Sequence, residues 1–317
     1  MKRRIFIDGE AGTTGLQILS RLKARDDIEL LSIDPAKRKD SAERARLLNL
    51  AEVAILCLPD AAAKESLALI ENPETCVIDA STAHRVAEGW TYGFPEMTAG
   101  YEETIKQSKR IANVGCYAVG SVSILRPLTE RGLLPSQYPA SIHAVSGYSG
   151  GGRQLIESYE DKQNPDYTES PFWLYGLGLD HKHLPEIMLY GGLSHPPVFS
   201  PSVGRFAQGM LVSLPLQLWS LPKSIGPAEL HDIYSEHYAD RQFVKVAPLA
   251  ESSARKRLEP QELNGTNELR IHVFGNEQTG QAMVVAQLDN LGKGASGSAI
   301  QNLNLVLGVP QETGLVQ

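Results

Sequence analysis

Arg4-Ile-Phe-Ile-Asp-Gly-Glu-Ala-Gly-Thr-Thr-Gly-Leu-Gln-Ile-Leu-Ser-Arg-Leu22 is the stretch that decides the fold. Residues 4–8 are apolar enough to be a buried strand, and the loop Gly9-Glu-Ala-Gly-Thr-Thr-Gly15 follows at once. Residues 16–22 then carry apolar side chains at helical spacing. Glycines set between a strand and a helix let a pyrophosphate reach the N–H groups at the helix N-terminus. The spacing is G-x-x-G-x-x-G, so the loop alone also admits a plain tight turn. Its place between the first strand and the first helix points to nucleotide binding.

Working outward, strands are expected at residues 28–33, 53–58 and 76–79, with helices at 37–50 and about 61–70 between them. Strands alternating with helices in short steps imply a parallel sheet with crossover helices. Beyond residue 116 the texture changes. Longer strand candidates at 142–145, 210–218, 269–274 and 282–288 are separated by glycine- and proline-rich turns, with helices at 227–238 and 295–307. That pattern suits an α+β domain with a mainly antiparallel sheet. The break near residue 116 predicts a domain junction, where small-molecule sites commonly form.

The 317 residues are 42% hydrophobic, enough to bury a core in each of about two domains. A net charge of −7 argues against non-specific binding to nucleic acid or membranes. No apolar run approaches the roughly 20 residues that span a bilayer. No apolar segment with a small-residue cleavage site marks a signal peptide. The three cysteines, Cys57, Cys76 and Cys116, are far apart and form no C-x-x-C pair, which fits a reducing compartment and predicts a cytoplasmic enzyme without a metal site.

Cys116 lies in Ile111-Ala-Asn-Val-Gly-Cys-Tyr-Ala-Val-Gly120, between a strand-like and a helix-like run. A cysteine at a helix N-terminus feels the partial positive charge of unpaired N–H groups, which favours the thiolate. A buried, inert cysteine is the alternative. The segment His181-Lys-His183-Leu-Pro-Glu-Ile187 marks a helix start, with proline and glutamate in the first turn and both histidines just ahead of it. Histidine is the usual partner of a sulfur nucleophile at neutral pH. Ser146-Gly-Tyr-Ser-Gly-Gly-Gly-Arg153 combines backbone donors with a guanidinium and suits an anion pocket, or is a flexible loop; Arg205 is a second candidate anion clamp. Asp34 follows the second strand and favours a ribose hydroxyl, as in NAD. Ser32, Lys37, Arg38 and Lys39 tip the balance toward the 2′-phosphate of NADP, with a solvated basic face an equally simple reading of the cations. The segment from Asp289 to Gln301, glycine-rich at a strand-to-helix junction, could return the chain to the nucleotide domain.

Together DGEAGTTG, LCLPD (56–60), DASTAHR (79–85), YGFPE (92–96), NVGCYAVG, SGYSGGGR, HKHLPEI, VGRFAQGM (203–210) and DNLGKGASGSAIQNLN (289–304) resemble the shorter form of the N-acetyl-γ-glutamyl-phosphate reductase family. The motifs run in family order over essentially the whole chain. The family's usual Pro-Gly-Cys-Tyr-Pro-Thr reads Val114-Gly-Cys-Tyr-Ala-Val119 here.

The resemblance implies an N-terminal Rossmann domain binding NADP(H) and an α+β substrate and dimerisation domain of the semialdehyde and glyceraldehyde-3-phosphate dehydrogenase type. The domains expected are 1–115 with 290–317, and 116–289. It implies Cys116 as nucleophile, His181 as preferred acid–base group and His183 as second choice. The cofactor candidates are Gly9, Gly12, Thr13, Thr14, Gly15, Ser32, Lys37, Arg38, Pro59, Ser81, Asn290 and Gly294; the substrate candidates are Ser149, Arg153 and Arg205. The implied partners are an acyl phosphate and inorganic phosphate, in a homo-oligomer, dimer or tetramer. Two alternatives stay open: the same chemistry on aspartyl phosphate or a carrier-linked aminoadipyl phosphate, and a non-catalytic NADP-sensing protein.

Overall fold

The structure is a computed structural model that describes residues 2–317. The chain divides into two compact units: one runs to Pro95 and adds Gly100–Gly115 and Ala295–Val316, while the other holds Glu96–Ala99 and Cys116–Gly294.

The first unit contains β1 (Arg3–Asp8), α1 (Thr13–Leu22), β2 (Ile28–Leu31), α2 (Ser41–Leu50), β3 (Val53–Leu56), α3 (Asp60–Ala68), β4 (Cys76–Asp79), β5 (Thr91–Gly93), α4 (Tyr101–Gln107) and β6 (Arg110–Asn113). The chain's last helix, α10 (Gly297–Leu307), completes it. Its sheet has six strands in the order β2-β1-β3-β4-β6-β5, every pair parallel. Side chains alternate across a strand, so Ile5 and Ile7 go to one face and Phe6 to the other. The first face packs with Ile18 of α1 and with Ala299, Ile300 and Leu303 of α10; the second packs with Leu47 and Leu48 of α2. Both faces are covered, which is why the strands read as unbroken apolar runs.

One expected helix starts late and one expected strand ends early, each for a local reason. The helix expected over 37–50 starts only at Ser41, because the Asp40 carboxylate accepts from the N–H groups of Ala42 and Glu43 and caps it there. Ahead of it, Asp34 caps a single turn at Pro35–Lys37 by accepting from Ala36 N–H, and the strand expected to reach residue 33 ends at Leu31.

The second unit contains α5 (Cys116–Glu130), β7 (Ser141–Gly147), α6 (Gly152–Glu160), β8 (Phe172–Leu174), α7 (Leu184–Gly191), β9 (Val198–Gly204), β10 (Met210–Gln217), α8 (Pro227–His237), β11 (Val244–Val246), α9 (Leu249–Ala254), β12 (Leu269–Asn276) and β13 (Gln281–Leu288). Its seven-stranded sheet has the order β11-β12-β13-β10-β7-β9-β8. The sheet is mixed: β7–β9 and β11–β12 pair parallel, and the remaining neighbours pair antiparallel. The α5 helix is buried along most of its length and lies on this sheet, with Gly120 set against Val212 and Leu288.

Candidate active site

Cys116 is the first residue of α5, directly after Gly115, and is partly buried. No acidic residue occupies the first turn of the helix, so no carboxylate of that turn offsets the positive end of its dipole. The other cysteines have the opposite environment. Burial, reinforced by the Asp79 and Asp8 carboxylates, pushes the Cys57 thiol up to about 12, and burial pushes Cys76 up to about 11. These two thiols stay protonated and inert.

The histidines arrive on the turn after β8. Gly176 and Leu179 both take left-handed backbone there, with φ of 61° and 57°. His181 lines a cavity of about 420 Å³ in the second unit, with Tyr117, Ser146, Gln154, Trp173 and Tyr175. Its ring meets Phe199 and Tyr117 edge-on, with centroids 5.1 and 5.7 Å away. Burial first, and the neighbouring Lys182 charge second, lower its pKa to about 4, so the ring is neutral at pH 7. Its Nδ1 accepts from the His183 N–H at 3.2 Å, which assigns the remaining proton to Nε2.

His183 is the N-cap residue of α7 and is buried, its Nε2 3.9 Å from Glu186 Oε1. The two histidine rings are 4.9 Å apart, but only His181 lines the cavity. Tyr117 donates its hydroxyl to the Ser202 carbonyl at 3.0 Å. Burial, with a smaller contribution from the Cys116 charge, raises the hydroxyls of Tyr117 and Tyr175, so both remain donors. The Tyr175 ring lies 5.5 Å from that of His181, on the same cavity wall. Sequence reasoning missed Tyr175, Trp173 and Gln154. Tyr117 alone had a signal, its position next to the cysteine.

The expected anion clamps are placed elsewhere. Arg153 is exposed and pairs with Glu157 at 2.8 Å. Arg205 donates to the Glu169 carbonyl at 3.2 Å and faces that residue's carboxylate at 3.7 Å. Neither lines the cavity; the cation that does is Lys182. Ser149 is buried and accepts from Asn290 Nδ2 at 3.0 Å, while Asn290 Oδ1 accepts from Gly209 N–H at 2.8 Å. Asn290 therefore fastens two turns of the second unit together. Gly294 backs the cysteine: a Cβ added there would lie 2.8 Å from Cys116 Cβ.

In the first unit the glycine loop closes tightly. Gly9 has a φ of 91°, and a Cβ at Gly9 or Gly15 would collide with the backbone of Cys57 or Gly9. Gly12 is the N-cap of α1 and offers no side chain, so the N–H groups of Thr13 and Thr14 begin the helix without a side-chain cap. Beside the loop is a cavity of about 440 Å³, lined by Gly9, Glu10 and Ala11 with Arg38, Lys39 and Arg44. Arg44 is bound to Asp8 at 2.9 Å and to Ser66, and Arg38 meets Glu10 at 3.1 Å. Asp34, Ser32 and Lys37 are exposed and outside this lining, and the Asp34 carboxylate is engaged in its turn. Pro59 starts α3, and Ser81 donates to Asp79 at 2.7 Å at the C-terminal end of β4. An uncapped helix start, a side-chain-free cradle and cations at the rim fit a phosphorylated dinucleotide.

This fold is that of the semialdehyde dehydrogenases. A family model described as semialdehyde dehydrogenase, dimerisation domain, matches residues 116–290. Aspartate semialdehyde dehydrogenase II from Vibrio cholerae, solved with its ligand ASA, superposes with a TM-score of 0.71 at 12% identity, covering 97% of this chain and 99% of that one. Aspartate semialdehyde dehydrogenase from Candida albicans, solved with NADP, gives 0.61 at 14% identity over 98% of this chain and 99% of its own. Sequence relatives define the branch. N-acetyl-gamma-glutamyl-phosphate reductase 2 from Nostoc sp. is 51% identical over 99% of both chains, and the Brucella suis N-acetyl-gamma-glutamyl-phosphate reductase is 53% identical over 97% of this chain and 100% of its own. The chain belongs to the N-acetyl-γ-glutamyl-phosphate reductase family.

Proposed function

We propose that this protein reduces N-acetyl-L-glutamyl 5-phosphate to N-acetyl-L-glutamate 5-semialdehyde, releasing phosphate, with Cys116 as the covalent nucleophile. One observation carries the assignment of residues: Cys116 opens a helix in the same unit whose cavity holds a neutral His181, while the other two thiols are inert.

The helix N-terminus favours the Cys116 thiolate, which attacks the acyl carbon; the C–S bond forms as the C–O bond to phosphate breaks. Nε2–H of His181 donates a hydrogen bond to the oxygen that gains charge and stabilises it. His181 suits this role better than His183, because only His181 lines the cavity. Gly9, Gly12, the N–H groups of Thr13 and Thr14, Arg38 and Lys39 would hold NADPH, which when bound would supply the hydride for reduction of the thioester. Collapse of the resulting thiohemiacetal oxyanion releases the aldehyde and returns the thiolate to Cys116. Lys182, at the wall of the cavity, replaces Arg153 and Arg205 as the cation we assign to the substrate's anionic groups.

The first unit, closed by α10, is the dinucleotide-binding part, and the second holds the substrate. The match to a dimerisation domain supports a homo-oligomer, a dimer or a tetramer. Among the described residues no helix is long and apolar enough to cross a membrane. We place the enzyme in the cytoplasm, where reducing conditions keep a nucleophilic thiol active.

The test is the reverse reaction: NADP reduction by N-acetylglutamate semialdehyde, with and without phosphate, run beside NAD and beside aspartate semialdehyde. Turnover is expected only with phosphate, chiefly with NADP and the acetylated substrate. Cys116→Ser should lower it by about 10³-fold or more. Wild-type turnover in that variant sinks the covalent mechanism, and equal turnover with aspartate semialdehyde sinks the substrate assignment.

A further inference from the structure

The segment behind Cys116 is anchored far more heavily than a turn requires. Asp289 Oδ1 accepts from Leu291 N–H at 2.9 Å, its Oδ2 accepts from Gly265 N–H at 2.8 Å, and its carbonyl accepts from Gly294 N–H at 3.0 Å. Between these anchors sits Lys293, whose side chain is wholly buried. Its Nζ donates to both oxygens of Glu96, at 2.9 and 2.8 Å, and lies 5.6 Å from the Phe243 ring centroid. A cation–π contact of that kind adds to the charge-assisted bonds.

Glu96 is itself held. It leads Glu96–Ala99, the short stretch that belongs to the second unit although its flanks belong to the first. Thr98 donates to Glu130 at 2.7 Å, and the Met97 carbonyl meets His237 Nε2 at 3.0 Å. Burying two charges is costly, and a well-packed apolar pair of similar volume serves stability as well or better. What an ion pair adds is a directional, bidentate constraint. Here the constraint acts on residue 293, one position from the glycine at which an added Cβ would lie 2.8 Å from Cys116 Cβ.

We propose that the buried Lys293–Glu96 pair positions the nucleophile, fixing the Gly294 backbone as the surface against which Cys116 is seated. Lys293 and Glu96 are positioning residues and act through Cys116. The inference rests on Cys116 being the nucleophile, and its failure is distinguishable from the failure of that reading.

The experiment compares the wild type with Glu96→Met/Lys293→Met, which keeps volume and leaves no orphaned charge, and with Gly294→Ala. Circular dichroism and melting report the fold. Steady-state kinetics give kcat and the KM for NADPH. The rate of iodoacetamide labelling, mapped to Cys116 by peptide mass, is followed from pH 6 to pH 9. The double variant should fold, keep the KM for NADPH within about twofold, lose about tenfold or more in kcat, and show a displaced pH profile of Cys116 labelling. Gly294→Ala should show the same pattern. Glu96→Gln/Lys293→Gln, which retains a hydrogen bond, should recover part of kcat, and it carries the same comparison where the methionine pair does not fold. Wild-type kcat and labelling in the folded pair variants, whatever their melting temperature, overturns the proposal. Full activity in Cys116→Ser would instead remove the reading beneath it.

Discussion

At the scale of single residues, the site is a set of altered acidities with separate causes. His181 is the clearest case, because burial lowers its pKa from 6.5 to about 4. The folded state therefore refuses a proton that the unfolded chain accepts below pH 6.5. The contribution of this group to stability is complete above pH 6.5 and is lost as pH falls toward about 4. Urea midpoints measured at pH 7 and pH 4.5 should differ less in His181→Gln than in the wild type; an unchanged difference would show that His181 carries no such linkage. The same variant should lose about 10²-fold or more in kcat, the usual weight of a hydrogen-bond donor aimed at a developing oxyanion. In the first unit, Arg38, paired with the loop's own Glu10, and Lys39 are the cations we assign to a 2′-phosphate, since Arg44 is committed to Asp8 and Ser66. Arg38→Ala/Lys39→Ala should raise the KM for NADPH by about tenfold and leave that for NADH nearly unchanged, at about 1.4 kcal/mol for each tenfold. A parallel rise for both cofactors would mean that the loop as a whole had been damaged.

At the scale of elements, α5 carries both the proposed nucleophile and a proline, and the two need reconciling. Pro127 lies inside the helix and has no N–H to give to the Ser123 carbonyl. Tyr238 supplies the missing donor, its hydroxyl bonding that carbonyl at 2.8 Å, and, one residue on, the Tyr234 hydroxyl donates to the Ile124 carbonyl at 2.5 Å. Tyr238→Phe should therefore cost about 1–3 kcal/mol of stability, the penalty of an unsatisfied buried carbonyl. Denaturant titration gives the number, and a change below a few tenths would mean that water replaces the hydroxyl. Such compensation is invisible in sequence, because the partners are 115 residues apart. What was legible was local: the strand at 76–79, the helix start at Pro227 and the turn into Cys116 each follow from spacing and punctuation. The β9 strand was not, because Pro201 and two serines interrupt it and its parallel partner β7 comes from 57 positions earlier. Tyr175 escaped for a related reason: it follows a three-residue strand and belongs to no motif, yet it borders the cavity. Arg153 and Arg205 lie outside the cavity lining because residue type fixes what a guanidinium can bind but not where it points, and nearby glutamates pair with both.

At the scale of the whole molecule, the first unit is discontinuous, and its core waits for the end of the chain. Ala299, Ile300 and Leu303 of α10 are fully buried among Ile5, Ile55, Ile78 and Ile111, although nearly 300 residues separate the earliest from the latest. Periodicity showed that 295–307 was an apolar-faced helix; it could not show which sheet the helix covers. The resemblance to a known family supplied that expectation. The physical consequence is that residues 1–115 cannot bury the α10 face of their sheet alone, leaving apolar strands open to water. A chain ending at Gly294 should lose NADPH binding and expose that face to a hydrophobic dye while the second unit still melts cooperatively. Leu303→Ala gives a graded version, with an expected cost of about 2–5 kcal/mol from the lost burial and the cavity it leaves. Ligand binding distinguishes this from a general loss of stability. NADPH at about 100 times its dissociation constant should return about 2.7 kcal/mol to whichever transition contains the dinucleotide-binding unit. If α10 closes that unit, the transition weakened by Leu303→Ala is the one NADPH restores. If NADPH raises a different transition, the helix belongs energetically to the second unit, and the assignment of the dinucleotide site to the first must be withdrawn with it.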